Sequence, residues 1–597
     1  MTTPATPPRL APTARVGTGF VAPGTTQQKR NVVRLRPWQK DALEKFLASD
    51  RPDFLAVATP GAGKTTFALA AALRSMRSCR QPRVVVVAPT AHLKAQWAQA
   101  ASRFGLHLEP QWTSATEKLP ADMHGIVTTY QQVATSAEAL RKACAGAFVI
   151  LDELHHAGDD RAWGDAVRQA FTPADRRLAL SGTPFRSDTL SIPFVHYTLE
   201  EAVSDYEYGY ANALVDGGVV RPAYFPRING FMEWVAPDGS LNAASFEDAL
   251  DRTRSSQRLR TALSTDGDWL PAVLRQAHDQ LMVLRQRNPC AGGLVIATDQ
   301  DHARAIADVF RTRLRVTPTV ALSDDPDASR HIASFATADT PWIIAVRMVS
   351  EGVDIPRLQI GVYATTTTTE LFFRQAVGRL VRWTPVSAGT SRKQKAYLFI
   401  PDDPRLRTWA HQITDARRHS LRKPSDDAGD ALDGPIERDP NALHEPSDHL
   451  ESAEQLSLFS ALSAVVADGP DQVVSGVFDE DYDHDERHDG DVVHEVGDAD
   501  PDFTLDIDAL APPLPRQPFS AGTGIVGFGV MSRYQQKEAL RLRNADLARS
   551  LARLTGLPHR QIHTELNKQV GLRGIDEATV EQLERRAGAA DRWLKRL

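Results

Sequence analysis

Between residues 53 and 182, this 597-residue chain repeats one pattern. Short apolar runs at 54–58 (FLAVA), 83–88 (RVVVVA), 125–129 (GIVTT), 148–152 (FVILD) and 177–181 (RLALS) alternate with stretches of helical periodicity. A strand with one wet face alternates polar and apolar residues, so a strand apolar throughout must be covered on both faces. Helical crossovers between such strands supply that cover and leave the strands parallel. The fold class is therefore α/β. The pattern loosens between about residues 188 and 289, where a helix is predicted over 270–287. It resumes at 294–298 (LVIAT), 342–345 (WIIA), 359–364 (QIGVYA) and 395–400 (KAYLFI), which predicts a second parallel sheet, followed by a helix over 405–421.

Outside these regions the texture changes. Residues 1–30 are rich in Pro and Thr and poor in large apolar side chains, and are expected to be disordered. Residues 423–515 are dominated by Asp, Pro, Ser, Gly and His, too little apolar area to offset chain entropy; one amphipathic patch over 453–466 reads as a short helix. Residues 532–597 regain helical periodicity, with Leu540, Leu547, Leu551 and Leu554 expected on one face. The expected organisation is a disordered 1–30, a first domain over 31–190, a connection with an insertion over 191–290, and a second domain over 291–422. An acidic disordered linker over 423–530 and a basic helical module over 531–597 complete it.

The net charge of −6 hides an uneven distribution. Asp and Glu crowd residues 478–510, while the tail carries Arg541, Arg543, Arg549, Arg553, Arg560, Arg585, Arg586 and Lys595, so net charge does not exclude nucleic acid as a partner. The tail reads as a DNA-binding bundle, a docking site for a protein partner, or a helical appendage with a solvated basic face. His484, His488 and His494 lie in the acidic tract, which reads as a solvated linker more readily than as a metal site. The three cysteines, Cys79, Cys144 and Cys290, form no CxxC pair, which argues against a disulfide framework or a zinc site. No run approaches the 18 or so apolar residues that span a bilayer, and a cytoplasmic location is the simplest expectation.

Two segments carry chemistry on their own residues. Ala58-Thr59-Pro60-Gly61-Ala62-Gly63-Lys64-Thr65 follows a strand and opens a helix, the context a phosphate-binding loop requires. Gly61 and Gly63 let backbone N–H groups turn toward a phosphate, and the helix N-terminus favours the anion. Lys64 would reach the β- and γ-phosphates of a bound nucleotide, and the Thr65 hydroxyl a magnesium ion; Pro60, Ala62 and Thr66 complete the cradle. The second segment is Asp152-Glu153-Leu154-His155, at the carboxyl end of an apolar strand, where side chains face the ligand crevice of a parallel sheet. Asp152 would hold Mg2+ and Glu153 would orient and deprotonate an attacking water.

The DExH box at 152–155, the loop at 58–65 and the motifs that follow resemble superfamily 2 helicases of the DEAD/DEAH-box kind. Within these, the chain looks most like the type III restriction helicase subunits and the XPB-like DNA translocases. The resemblance covers about residues 34–400 and neither terminus. It implies two tandem RecA-like P-loop domains that bind ATP and Mg2+ between them. It also implies that Gln39, in Leu35-Arg36-Pro37-Trp38-Gln39, contacts the adenine. Ala88-Pro89-Thr90 and Thr128-Thr129-Tyr130 match motifs Ia and Ib/Ic. Pro89, Thr90 and Thr129, with Thr183 of motif III (Ser181-Gly182-Thr183-Pro184), are the implied nucleic-acid contacts, although hydroxyls at such turns also cap helices. Motif V, at 350–356 (SEGVDIP), brings Gly352 and Asp354 to the nucleotide. Motif VI, in Gln375-Ala376-Val377-Gly378-Arg379-Leu380-Val381-Arg382, places Gln375, Arg379 and Arg382 on one helical face as catalytic residues. The expected activity is an ATP-hydrolysing helicase or translocase with DNA ahead of RNA as its track. The alternatives are an RNA helicase and an ATP-gated DNA-binding scaffold in a defence or repair complex.

Overall fold

The computed structural model describes residues 32–114, 122–155, 161–182, 192–198, 201–322, 324–325, 327–346, 355–384, 394–421, 460–465, 504–506, 510, 532–572, 574–575 and 578–597. The chain enters through β1 (Val32–Arg34) and α1 (Pro37–Ala48). It then alternates β2 (Asp53–Ala58), α2 (Lys64–Ser75), β3 (Val84–Ala88), α3 (Ala91–Ser102), β4 (Leu108–Glu109), β5 (Gly125–Thr129), α4 (Tyr130–Ala143), β6 (Phe148–Leu151), α5 (Arg161–Phe171) and β7 (Arg176–Ser181). A hairpin of β8 (His196–Thr198) and β9 (Glu201–Val203) leads to β10 (Tyr206–Tyr208). Seven strands form the first sheet in the order β10-β2-β7-β6-β3-β5-β4, all parallel. Alternate residues of each central strand enter different cores. Val84 and Val86 pack toward α2 and α3, and Val85 and Val87 toward α4 and α5. Both faces are covered, as the unbroken apolar runs require.

The second sheet is built the same way. After α6 (Tyr210–Val215) come β11 (Ala223–Tyr224) and β12 (Arg227–Ile228), then a hairpin of β13 (Phe231–Val235) and β14 (Leu241–Ser245), followed by α7 (Arg252–Ala262) and α8 (Trp269–Arg287). The alternation resumes with β15 (Gly292–Ala297), α9 (Gln300–Val309), β16 (Thr319–Ala321), α10 (Ala328–Thr337), β17 (Trp342–Ala345), β18 (Leu358–Ala364), α11 (Glu370–Leu380), β19 (Ala396–Pro401) and α12 (Pro404–Leu421). The sheet order is β11-β19-β18-β15-β17-β16, with β12 also on β19, again all parallel. The architecture is two tandem RecA-like α/β units. Within the connecting segment, β10 extends the first sheet, and β11 and β12 extend the second.

Two stretches of the acidic segment are strands. β20 (Ser460–Val465) pairs antiparallel with β13, and β21 (Thr504–Asp506) with β1. The helix expected over 453–466 is therefore corrected where the residues are described. Ser-Ala-Leu-Ser-Ala-Val fits either period, and pairing with a strand more than 200 residues away decides it. The remainder of the acidic tract lies outside the described residues, apart from Leu510.

The tail forms three helices, α13 (Arg533–Thr555), α14 (His559–Val570) and α15 (Val580–Leu594). Their core is Ala548, Leu551, Ile562, Leu566, Ala589 and Ala590. Leu554 is 67% exposed, contrary to the expected apolar face. The inward stripe of α13 is instead Lys537, Asn544, Ala548 and Leu551, because its first half faces the first sheet and not the module's own core. There, Lys537 Nζ sits 3.1 Å from Asp122 Oδ1 and 3.5 Å from Glu109 Oε2. Arg541 donates to Glu109 Oε2 at 3.2 Å, and the Val580 N–H at the start of α15 donates to Asp122 Oδ2 at 3.3 Å. Lys537, Glu109 and Asp122 keep 1%, 2% and 4% of their side-chain surface exposed. Cations read as a solvated or DNA-binding face are thus partly engaged within the chain.

Removing one partner from such a buried cluster leaves a desolvated charge uncompensated, at a cost of about 3–5 kcal/mol. Lys537→Ala is expected to cost that much, read as a lowered calorimetric unfolding midpoint. Arg549→Ala, which breaks a solvent-exposed pair with Asp546, is expected to change it by about 0–1 kcal/mol.

Candidate functional site

The turn after β2 leaves the sheet at Thr59, whose N–H donates to the Tyr208 carbonyl at 2.9 Å, and enters α2 at Lys64. Gly61 and Gly63 have φ of +84° and +96°, which a side chain would strain; this is what the loop demands of the two glycines. The loop's carbonyls are gripped from α1. Trp38 Nε1 donates to the Ala62 carbonyl at 3.2 Å, Arg36 Nη1 to the same oxygen at 2.9 Å, and Gln39 Nε2 to the Gly63 carbonyl at 2.9 Å. Gln39 is buried against the loop, so its amide holds the loop's shape directly. Trp38 stacks on Tyr208 with centroids 5.0 Å apart and planes 15° apart. Beside that stack opens a cleft of about 550 Å3 lined by Pro37, Asp41, Tyr206, Asn212 and Asp216. Arg36 lies in the motif around Gln39 but was given no role there, and the tyrosines of β10 carry no motif signal.

Lys64 and Glu153 meet at the centre. Lys64 Nζ lies 2.5 Å from Glu153 Oε1, the Gly182 N–H donates to Oε2 at 3.0 Å, and His155 Nδ1 lies 3.6 Å from Oε2. Burial pushes the Glu153 carboxyl up. The charges of Lys64 and His155, with hydrogen bonds from Lys64 and Gly182, outweigh this and hold it at about 2. The Glu153 backbone has φ +47°, a left-handed conformation costing a side-chain-bearing residue about 1–3 kcal/mol, and these bonds fix it. Beside Glu153, Asp152 Oδ2 accepts from Trp97 Nε1 at 2.8 Å, and the Asp152 carbonyl accepts from Tyr130 OH at 2.9 Å.

The second sheet supplies the opposite wall. A Cβ on Gly378 of α11 would lie 2.6 Å from the ring of Pro60, and one on Gly61 would lie 3.1 Å from Arg382 Cγ. The phosphate loop and the helix carrying Gln375, Gly378 and Arg379 are therefore in van der Waals contact. Gln375 Nε2 lies 3.3 Å from His155 Nε2, joining the acid pair's strand end to α11. Arg379 follows Gly378 and is half-buried. Below α11, the fully buried Arg221 donates to the carbonyls of Pro356 and Leu358 at 2.8 and 2.7 Å and of Leu380 at 3.1 Å. Burial pulls its guanidinium down to about 9. It clamps the end of motif V to the end of motif VI, and no sequence pattern pointed to it.

The residues expected at nucleic acid separate. Thr129 caps α4, its side chain accepting from the Gln132 N–H at 3.2 Å. Thr90 starts α3 without a side-chain cap bond, and its buried hydroxyl has no hydrogen-bond partner among the described residues. Pro89 precedes it at the end of β3. Thr183, Gly352 and Asp354 lie outside the described residues. Thr65 and Thr66 form the first turn of α2. No cluster of three or more His, Cys, Asp or Glu able to hold a metal occurs among the described residues. Magnesium keeps several waters and shares its shell with substrate phosphates, so the two side chains expected to hold it, Thr65 and Asp152, would have to supply only part of its shell.

Comparison with known proteins follows the same lines. The family described as type III restriction enzyme, res subunit, matches residues 32–186. An uncharacterized Mycobacterium leprae protein, ML1624, is 39% identical over 571 residues, 93% of each chain. Rv2917 of Mycobacterium tuberculosis is 45% identical over 410 residues, 67% of each. The DNA 3'-5' translocase XPB2 of Sulfurisphaera tokodaii is 24% identical across 59% of this chain and 80% of its own. Among solved structures, a fragment of a type I restriction enzyme HsdR subunit from Vibrio vulnificus aligns at 15% identity with a TM-score of 0.43, covering 62% of this chain and 65% of that one.

The contact of Pro60 with Gly378 is a test of this geometry. Gly378→Ala forces a methyl group against a rigid ring, and misplacement by about 1 Å costs on the order of 10²-fold in rate. A loss of that size in ATP turnover, measured by phosphate release at an unchanged unfolding midpoint, is expected. Undiminished turnover would show that this approach is not used.

Proposed function

The chain belongs to the superfamily 2 helicases, and from that footing we propose that it is an ATP-driven motor that translocates along DNA. The observation that carries the reading is the packing of the Lys64 loop against the α11 helix, with Glu153 between the two sheets. A triphosphate laid on the loop meets Lys64 and the N-terminus of α2 on one side and Arg379 and Arg382 on the other. The cleft beside Trp38 and Tyr208 receives the base.

The Lys64–Glu153 pair gives the chemistry a sequence. In the resting site, Lys64 holds Glu153 ionised and weakly basic. Lys64 leaves it for the β- and γ-phosphates when ATP enters. Glu153 then loses its nearest cation, its proton affinity rises, and the Gly182 N–H keeps it aimed. It accepts a proton from a water as the water oxygen bonds to the γ-phosphorus. The bond from that phosphorus to the β–γ bridging oxygen breaks, and ADP departs with the oxygen. Thr65 and Asp152 would hold magnesium, which would supply positive charge to offset that of the triphosphate. Arginines in the position of Arg379 and Arg382 contribute about 10³–10⁵ in rate to such transfers. Thr90 and Pro89, at the end of β3, grip the backbone of the track without reading its sequence.

DNA is favoured as the track because the Sulfurisphaera tokodaii relative is, by its name, a DNA 3'-5' translocase. A phosphate-release assay against single-stranded DNA, duplex DNA and RNA separates the readings; stimulation by RNA alone would overturn the DNA assignment. Glu153→Gln is expected to bind ATP yet lose turnover by at least about 10²-fold. Lys64→Ala is expected to lose tight nucleotide binding, and Arg382→Ala to bind ATP but hydrolyse it at least about tenfold more slowly. Biological activity retained in Glu153→Gln would favour the scaffold over the motor.

A further inference from the structure

The three-helix tail does more than dock. α13 ends at Gly556, whose φ of +69° closes the helix, and Leu557 and Pro558 lead directly into α14. Two helices joined by a three-residue turn containing Gly have the connectivity of a helix-turn-helix, with α14 in the place of the second, groove-facing helix. The inner side of α14 is fixed. Ile562 and Leu566 are buried in the module core. The fully buried Arg586 of α15 donates to Asn567 Oδ1 at 2.8 Å and to Asn544 Oδ1 at 3.0 Å, and lies 3.0 Å from His563 Nδ1. This one guanidinium ties α14 to both neighbouring helices.

The outer side of α14 is polar and open. Arg560, Gln561, Thr564, Glu565 and Lys568 are all exposed. Arg553, on the last turn of α13, is exposed as well. Arg553, Arg560 and Lys568 make no ion pair among the described residues, unlike Arg533, Lys537, Arg541, Arg543 and Arg549, which are all engaged. The cations that secure the module and those it presents are thus different residues. The one acid on the open face, Glu565, accepts from Gln569 at 3.4 Å.

Position completes the case. Arg541 reaches Gln111 at 3.1 Å, next to Trp112, whose carbonyl accepts from Gln132 at 3.5 Å. Gln132 is the residue whose N–H bonds to the Thr129 cap at the end of β5. The module therefore sits on the first sheet's edge, on the side of the turn that ends β5; in the sheet that turn neighbours the end of β3, which leads into Pro89 and Thr90.

We propose that α13, its turn and α14 form a second nucleic-acid-binding element specific for B-form duplex DNA. α14 lies in the major groove, with Arg553, Arg560 and Lys568 on the flanking phosphates. Its 12 residues span about 18 Å. The B-form major groove, about 12 Å wide, admits a helix, whereas the deep, narrow groove of A-form RNA does not. The element binds independently of nucleotide turnover, so its test does not share the fate of the motor reading.

The experiment is fluorescence anisotropy of the full chain without nucleotide, with a labelled 20-base-pair DNA duplex, a matched RNA duplex and a single strand. The triple variant Arg553→Ala, Arg560→Ala, Lys568→Ala is expected to raise the duplex DNA Kd at least about tenfold. It should also flatten the salt dependence by about 2–3 in log–log slope, as three lost phosphate contacts predict. Single-strand affinity and basal ATPase are expected to stay unchanged, and Arg553→Lys with Arg560→Lys to keep the DNA affinity. Wild-type duplex affinity in the triple variant, no duplex binding by the unaltered chain, or equal binding of the RNA duplex would each overturn the proposal.

Discussion

A proline ring pressed against a residue with no side chain sets the distance between the two halves of this molecule. Pro60 lies in the loop after β2, and Gly378 lies in the last turn of α11. Any side chain at 378 would part them. With the gap closed, Gln375 reaches His155 and Arg382 lies along Gly61, so one helix of the second sheet touches both the loop and the acidic strand end of the first. Arg221 makes the same point from beneath. It bonds to the carbonyls of Pro356 and Leu358 and to that of Leu380 at the end of α11, and so ties the position of that helix to the start of β18, just after motif V.

The centre of the site is set by competition between burial and charge. A carboxylate partly withdrawn from water is harder to ionise, yet Glu153 is held below the usual carboxylate range because a lysine, a histidine and a backbone N–H converge on it. Its left-handed backbone keeps the carboxylate there. A tight resting pair that must exchange partners couples occupancy of the loop to the basicity of the carboxylate, without requiring a large movement of either strand.

Much of this was legible in the sequence for a simple reason. Runs such as VVVV and FVIL leave no polar edge, so the parallel sheets follow, and the loop and acid pair lie at strand ends where such sheets bind ligands. Strands of two or three residues, such as 206–208 and 223–224, were invisible because pairing rather than composition defines them. The 460–465 strand was misread as a helix because its partner is a distant hairpin. Hydroxyls at strand ends could not be told apart in sequence. In the structure, Thr129 is occupied as a cap while the hydroxyl of Thr90 is not. The basic tail was visible as a tally of arginines, but not that buried acids on β4 and before β5 take some of them.

Those acids bear on how the chain can be divided. Glu109 and Asp122 belong to the first sheet, but their counter-charges come from more than 400 residues later. A fragment cut after the last strand of that sheet would leave two carboxylates facing water where the whole protein surrounds them with cations and a helix N-terminus. The first lobe is therefore not a self-contained unit, and the smallest piece that reproduces its native surface joins both ends of the polypeptide.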